Sequence, residues 1–123
     1  MTATQIIETV NQLKPNSYSE DFMVQWLNEI EGMIFDEVIK PSKAGKDKTL
    51  IPINPMENPE QQLLAPDNFA QMYTYYLMAK IDFSDCETGR YNNDIAMFNS
   101  EYSSFCAWYN RNFPPNEQMG IRV

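Results

Sequence analysis

The chain has 123 residues, of which 43% are hydrophobic and 21% charged, and its 17 acids against 9 bases leave a formal net charge of -8. That length suits one domain, which on folding buries roughly two thirds of the surface its unfolded chain exposes, and the composition excludes a disordered polymer. The acidic balance argues against a generic phosphate-binding surface. The absence of histidine removes Ser-His-Asp and Cys-His nucleophilic sites and histidine-based zinc sites.

The first residues, Met1-Thr2-Ala3-Thr4, lack the basic start and apolar core of a signal peptide. No apolar run approaches the ~20 residues of a membrane span. Residues 3–13 place Ile6, Ile7, Val10 and Leu13 at helical spacing, and Lys14-Pro15-Asn16 supplies the stop. Ser17 and Glu20 fit a capping box, with Ser19 as the competing N-cap, and open a second helix to about Ile39. Phe22, Trp26, Leu27, Ile30, Ile34 and Val38 form its apolar stripe, and Glu29, Glu31, Asp36 and Glu37 its water-facing acidic side. Gly32 suits either close packing or a bend.

Residues 41–65 with Pro66 behind them carry five prolines, Pro41, Pro52, Pro55, Pro59 and Pro66, too many for a helix or a central strand. An irregular loop is expected, with at most a short edge strand at Thr49 to Ile53. Leu50, Ile51 and Ile53 make it an arm that docks on something, and with few anchors of its own it is expected to be poorly ordered until assembly. Lys40, Lys43, Lys46 and Lys48 against Asp47 make this the basic segment of an acidic chain.

A third helix is predicted from Asn68 to about Asp85, with Pro66 at its first position and Asp67 in its first turn. Its apolar residues point almost all round, as in a helix with partners on two sides. Because Tyr73, Tyr75, Tyr76 and Met78 cannot all face one core, some of them are expected to meet a neighbouring subunit. Gly89 closes a turn, and a fourth helix follows from about Arg90 to Phe113. Tyr91, Ile95, Phe98, Tyr102, Phe105 and Tyr109 are spaced as the seam of that helix along the third. Cys86 at the bend and Cys106 up the second arm lie about 24 Å apart at helical rise, too far for a disulfide.

The expected fold is therefore all-α: a single helical domain over residues 1–113, a helical hairpin at its core, about four helices, the irregular loop 41–65 and an extended C-terminal tail over 114–123. Chemistry-bearing motifs fail on inspection. Asp82 to Gly89 has the look of a calcium loop, but Glu87 stands where glycine makes the turn. Gly45-Lys46-Asp47 lacks the rest of a phosphate loop. No cofactor, no metal and no catalytic residue is expected, and the chain reads as a building block, not an enzyme.

Leu64-Ala65-Pro66-Asp67 leads into Met72-Tyr73-Thr74-Tyr75-Tyr76-Leu77-Met78-Ala79-Lys80-Ile81-Asp82, followed by Arg90-Tyr91-Asn92-Asn93, Met97-Phe98-Asn99 and Trp108-Tyr109-Asn110-Arg111. In this wording residues 64–112 resemble the head-tail connector, or adaptor, proteins of long-tailed bacteriophages, and residues 17–40 do so loosely. The resemblance implies a structural virion protein, assembled in the host cytoplasm as a homo-oligomeric ring between portal and tail, with DNA passing through and no membrane contact. It implies portal protein and tail components as partners, engaged by a C-terminal tail that Pro114, Pro115 and Ile121 would belong to. Lys43, Lys46 and Lys48 would then face the acidic strip of a neighbour or line the channel near DNA. A second reading, carried by net charge, is a small acidic phage-encoded inhibitor that mimics DNA.

Overall fold

Four α-helices form the chain, α1 (Ala3–Leu13), α2 (Glu20–Ile34), α3 (Ala70–Ser84) and α4 (Thr88–Asn112), in a computed structural model that describes residues 1–114. The fold is all-α, and among the described residues there is no strand, only an isolated bridge between Thr2 and Gln62. The expected edge strand at Thr49 to Ile53 is therefore irregular backbone.

Each helix begins where side chains replace missing backbone partners. Thr2 caps α1 through a capping box with Gln5. Ser19 caps α2 by accepting from the Phe22 N–H, so Ser19 is the cap and Ser17 is not; Glu20 and Asp21 then lie in the first turn, where negative charge complements the dipole. The expected run to Ile39 is helical but changes type, because Phe35–Ile39 is a π-helix. Its ladder is closed by the Lys40 N–H donating to the Phe35 carbonyl at 2.9 Å. A short 3-10 turn, Asp67–Phe69, leads into α3 with Pro66 as its N-cap.

The bend between α3 and α4 corrects a sequence expectation. Gly89 lies inside α4, whereas the left-handed residue is Cys86, with φ 60°. The Glu87 N–H donates to the Asp82 carbonyl at 2.8 Å, a closure of the kind that ends helices through one left-handed residue. Both cysteines are free thiols.

The core lies where α3 passes between α4 on one side and α1 and α2 on the other. Val10, Met23, Leu27, Ile30, Ile34, Met72, Leu77, Ile81 and Phe105 are almost completely enclosed there. Both partners that the all-round apolar α3 requires are thus supplied by its own chain. Phe22 leaves the predicted stripe and is exposed, and Met23 takes the buried position instead.

Contacts between ends fix the directions. Tyr18, just before α2, donates to Asp85 at the bend, while Tyr102 donates to Glu37 past the far end of α2. Accordingly α2 runs alongside α4 in the same sense. Lys14, at the end of α1, reaches Asp82 at the end of α3, so those two helices also run together, against the other pair.

The 41–65 loop is held more firmly than its prolines suggest. Asn28 clamps it with a side-chain amide that accepts from the Ile53 N–H at 2.7 Å and donates to the Ile53 carbonyl at 3.2 Å. Gly45 sits where a Cβ would come within 2.1 Å of the Ile39 carbonyl oxygen. Ser42 is buried between the Ile39 carbonyl and the Tyr109 hydroxyl. The expectation that the loop has too few anchors is overturned here: the body of the same chain supplies them through amide, carboxylate and hydroxyl groups.

Candidate functional site

Tyr73 lies at the centre of a buried polar network. Its hydroxyl donates to Glu31 Oε1 and accepts from the Ala65 N–H at 3.1 Å. The Leu64 N–H donates to the other Glu31 oxygen at 2.8 Å. The Glu31 carboxyl is held above its ordinary range, mainly by burial, with the Tyr73 and Leu64 hydrogen bonds pulling the other way. Burial first, and the Glu31 charge second, push the Tyr73 phenol well up. These bonds tie the loop to α2 and α3, which excludes two expectations: Tyr73, with no exposed surface, cannot meet a neighbour, and Glu31 is no part of a water-facing strip.

The neighbouring acids are also engaged within the chain. Glu29 accepts from the Tyr76 hydroxyl at 3.0 Å and pairs with Lys80 at 3.0 Å, and Glu37 accepts from Tyr102 at 2.7 Å. Tyr76 and Tyr102 are raised above the usual phenol value by burial and by these carboxylates. A neighbour's loop lysines would therefore compete with internal partners for this strip.

Of the remaining expected interface residues, Tyr75, Tyr76 and Met78 are half-buried, and Lys43, Lys46 and Lys48 are exposed. Leu50 is half-buried and Ile51 is 68% exposed, whereas Ile53 is buried against its own chain. The arm therefore docks intramolecularly at Ile53, because the Asn28 clamp turns that side chain inward, and presents Ile51 outward. Pro114 is exposed, and its carbonyl accepts from the Lys43 N–H at 3.0 Å. Pro115 and Ile121 lie outside the described residues.

Two surfaces follow, one at each end of the hairpin. At the bend, Phe83 is 67% exposed and its ring meets that of Tyr91 at 5.6 Å. The two rings line a groove of about 500 Å³ with Cys86, Thr88 and Asn92, and a second hollow of about 200 Å³ continues from them to Tyr76 and Ile95. Glu20, Asp21, Asp85 and Glu87 are exposed around this end, with Arg90 set against them. At the other end, Lys40, Lys43, Lys46, Lys48 and Arg111 are exposed with Asp47, beside a cleft of about 330 Å³ lined by Phe35, Leu64, Trp108 and Phe113.

Beneath the bend lies a buried ionic cluster. Lys14 Nζ stands 2.8 Å from Asp82 Oδ1 and 3.7 Å from Asp94 Oδ2. Among the described residues, Oδ2 of each aspartate has no hydrogen-bond partner. Asp94 is pushed up to about 6, first by burial and then by the hydrogen bond and charge of Asp82, with Lys14 opposing.

The groove went unread in the sequence because Phe83 was one of many apolar residues on α3. Its signal is that Phe83 and Tyr91 flank the bend at nearly equal separation from Cys86, which places their rings side by side once the hairpin closes. Among the described residues no group of His, Cys, Asp and Glu is placed to hold a metal ion, and no helix is long and apolar enough to cross a membrane. Compared with known proteins, the chain matches no family model, no curated protein and no solved structure.

Proposed function

We propose that this chain is a structural virion subunit, a head-tail connector or adaptor that assembles as a homo-oligomeric ring between portal and tail, with DNA passing through. The observation that carries the reading is the difference between the two ends of the hairpin: an acidic, aromatic groove at the bend and an exposed basic loop at the opposite end. Two unlike surfaces on one subunit favour head-to-tail contacts, which close into rings when the rotation permits. The resemblance of residues 64–112 supports the same role, with portal and tail proteins as partners. The alternative, an acidic inhibitor that mimics DNA, draws on the net charge of -8, but its strip of Glu29, Glu31 and Glu37 is engaged within the chain.

Co-expression with portal protein tests the reading. The wild type is expected to co-purify with portal as a ring, visible by negative-stain microscopy. Reversal of Lys43, Lys46 and Lys48 to glutamate together, or loss of residues 114–123, is expected to abolish that complex with unchanged circular dichroism. Assembly with portal that survives both changes overturns the role given to these segments.

A further inference from the structure

We infer that the groove at the α3–α4 bend is the seat for residues 119–123 of a second copy of this chain, so that subunits join head to tail through an exchanged C-terminal segment. The inference rests on the ring-subunit reading for its biological use and names the contact that would build the ring. The groove is apolar at its floor, where the Phe83 and Tyr91 rings face one another, and acidic at its rim, where Asp85 and Glu87 are exposed. It calls for a segment with one apolar side and a cation. Within residues 115–123, Met119, Ile121 and Val123 alternate with Gly120 and Arg122, the period-two spacing that puts apolar side chains on one side of an extended chain. Arg122 then falls among the apolar positions, as the rim requires, and Glu117 precedes them.

Chain dimensions select the donor. The segment departs from Pro114, which is fixed beside Lys43 at the end of the hairpin remote from the bend. Along α4, Tyr91 lies about 33 Å from Phe113 and Ile95 about 27 Å. Seven extended residues carry Ile121 only about 24 Å beyond Pro114. The segment therefore falls short of the groove in its own molecule, and only another subunit's segment can occupy it. Since Pro114 emerges at the basic end, seating it places Lys40 to Lys48 of the donor toward the acidic bend of the acceptor, a complementary approach.

Mass measurement of the full-length protein in solution, by native mass spectrometry over a dilution series, tests this. Two variants each remove one half of the contact. F83D charges the groove at an exposed position, and the pair M119S and I121S strips the inserted segment; circular dichroism verifies the helices in both. Wild type is expected to associate, each variant to weaken association at least about tenfold, and a mixture of the two variants to form a one-to-one dimer that grows no further, since one intact groove and one intact segment remain. R122E is expected to weaken association, and higher salt to do the same for wild type. A wild type that stays monomeric, or oligomers unaffected by M119S and I121S, overturns the inference. Those results leave the connector reading standing if portal still binds, whereas loss of portal binding with an intact exchanged dimer removes the connector reading alone.

Discussion

Buried carboxyl groups set the energetics of individual residues. In E31A the Tyr73 hydroxyl and the Leu64 N–H both lose their acceptor, and a buried donor left without a partner costs about 1–3 kcal/mol. Urea denaturation of E31A is expected to show a loss of about 3 kcal/mol. Asp94 acts in the opposite direction. In the unfolded chain it ionises near the ordinary value of about 3.9, but in the fold only at about 6. Between these values the unfolded state releases its proton first, so this contribution to stability is complete below about pH 4, falls as pH rises to about 6 and is level above. The raised Glu31 adds a slope of the same sign above its own ordinary range. D94N is expected to flatten part of that fall, so that denaturation midpoints compared between about pH 4.5 and about pH 7 change less than in wild type. An equal fall in both proteins refutes the assignment.

Elements differ in how much of them the sequence discloses. Periodicity and caps act within a few residues, so α1, α3 and α4 are readable from Ile6, Ile7 and Val10, from the run around Met72, and from the Phe98–Phe105–Tyr109 seam. The loop is not. Its fixation depends on Asn28 finding Ile53 and on Glu31 finding Leu64, pairs distant in sequence that carry no periodic signature. For the same reason Tyr73 is indistinguishable from Tyr75 and Tyr76 until Glu31 is seen beside it, and the acidic strip looks solvated until Tyr76 and Tyr102 are seen to bind it. At the bend, glycine is the usual left-handed residue, yet the chain places Cys86 there. Of the candidate surfaces, the exposed lysines of the loop were legible as a charge cluster, whereas the groove needed the hairpin closed. N28A removes both bonds to Ile53 and is expected to cost about 1–2 kcal/mol, with faster amide exchange confined to residues 50–56. G45A forces a Cβ onto the Ile39 carbonyl and is expected to destabilise by about 1–3 kcal/mol, as overpacking does, measured by thermal melting.

At the scale of the whole molecule, one contiguous core joins all four helices to Ile53, Leu63 and Ala65 of the loop. Trp26 packs near the bend against Tyr18 and Phe22, and Trp108 near the opposite end against Phe69 and Phe113. Unfolding is expected to be a single transition, with tryptophan fluorescence and far-ultraviolet circular dichroism coincident. Separated transitions would mean that the two ends melt independently. The π turn at Phe35–Ile39 bears on engineering of this fold, because such a turn accommodates one residue more than the α-helix around it. Deleting the exposed Asp36 should let the segment relax to α geometry and keep its hydrogen-bonded ladder, yet swing everything after it by about 100° about the helix axis. The π turn thus behaves as a one-tooth gear that aims the lysine loop, and its removal would yield a helical protein whose basic end points the wrong way.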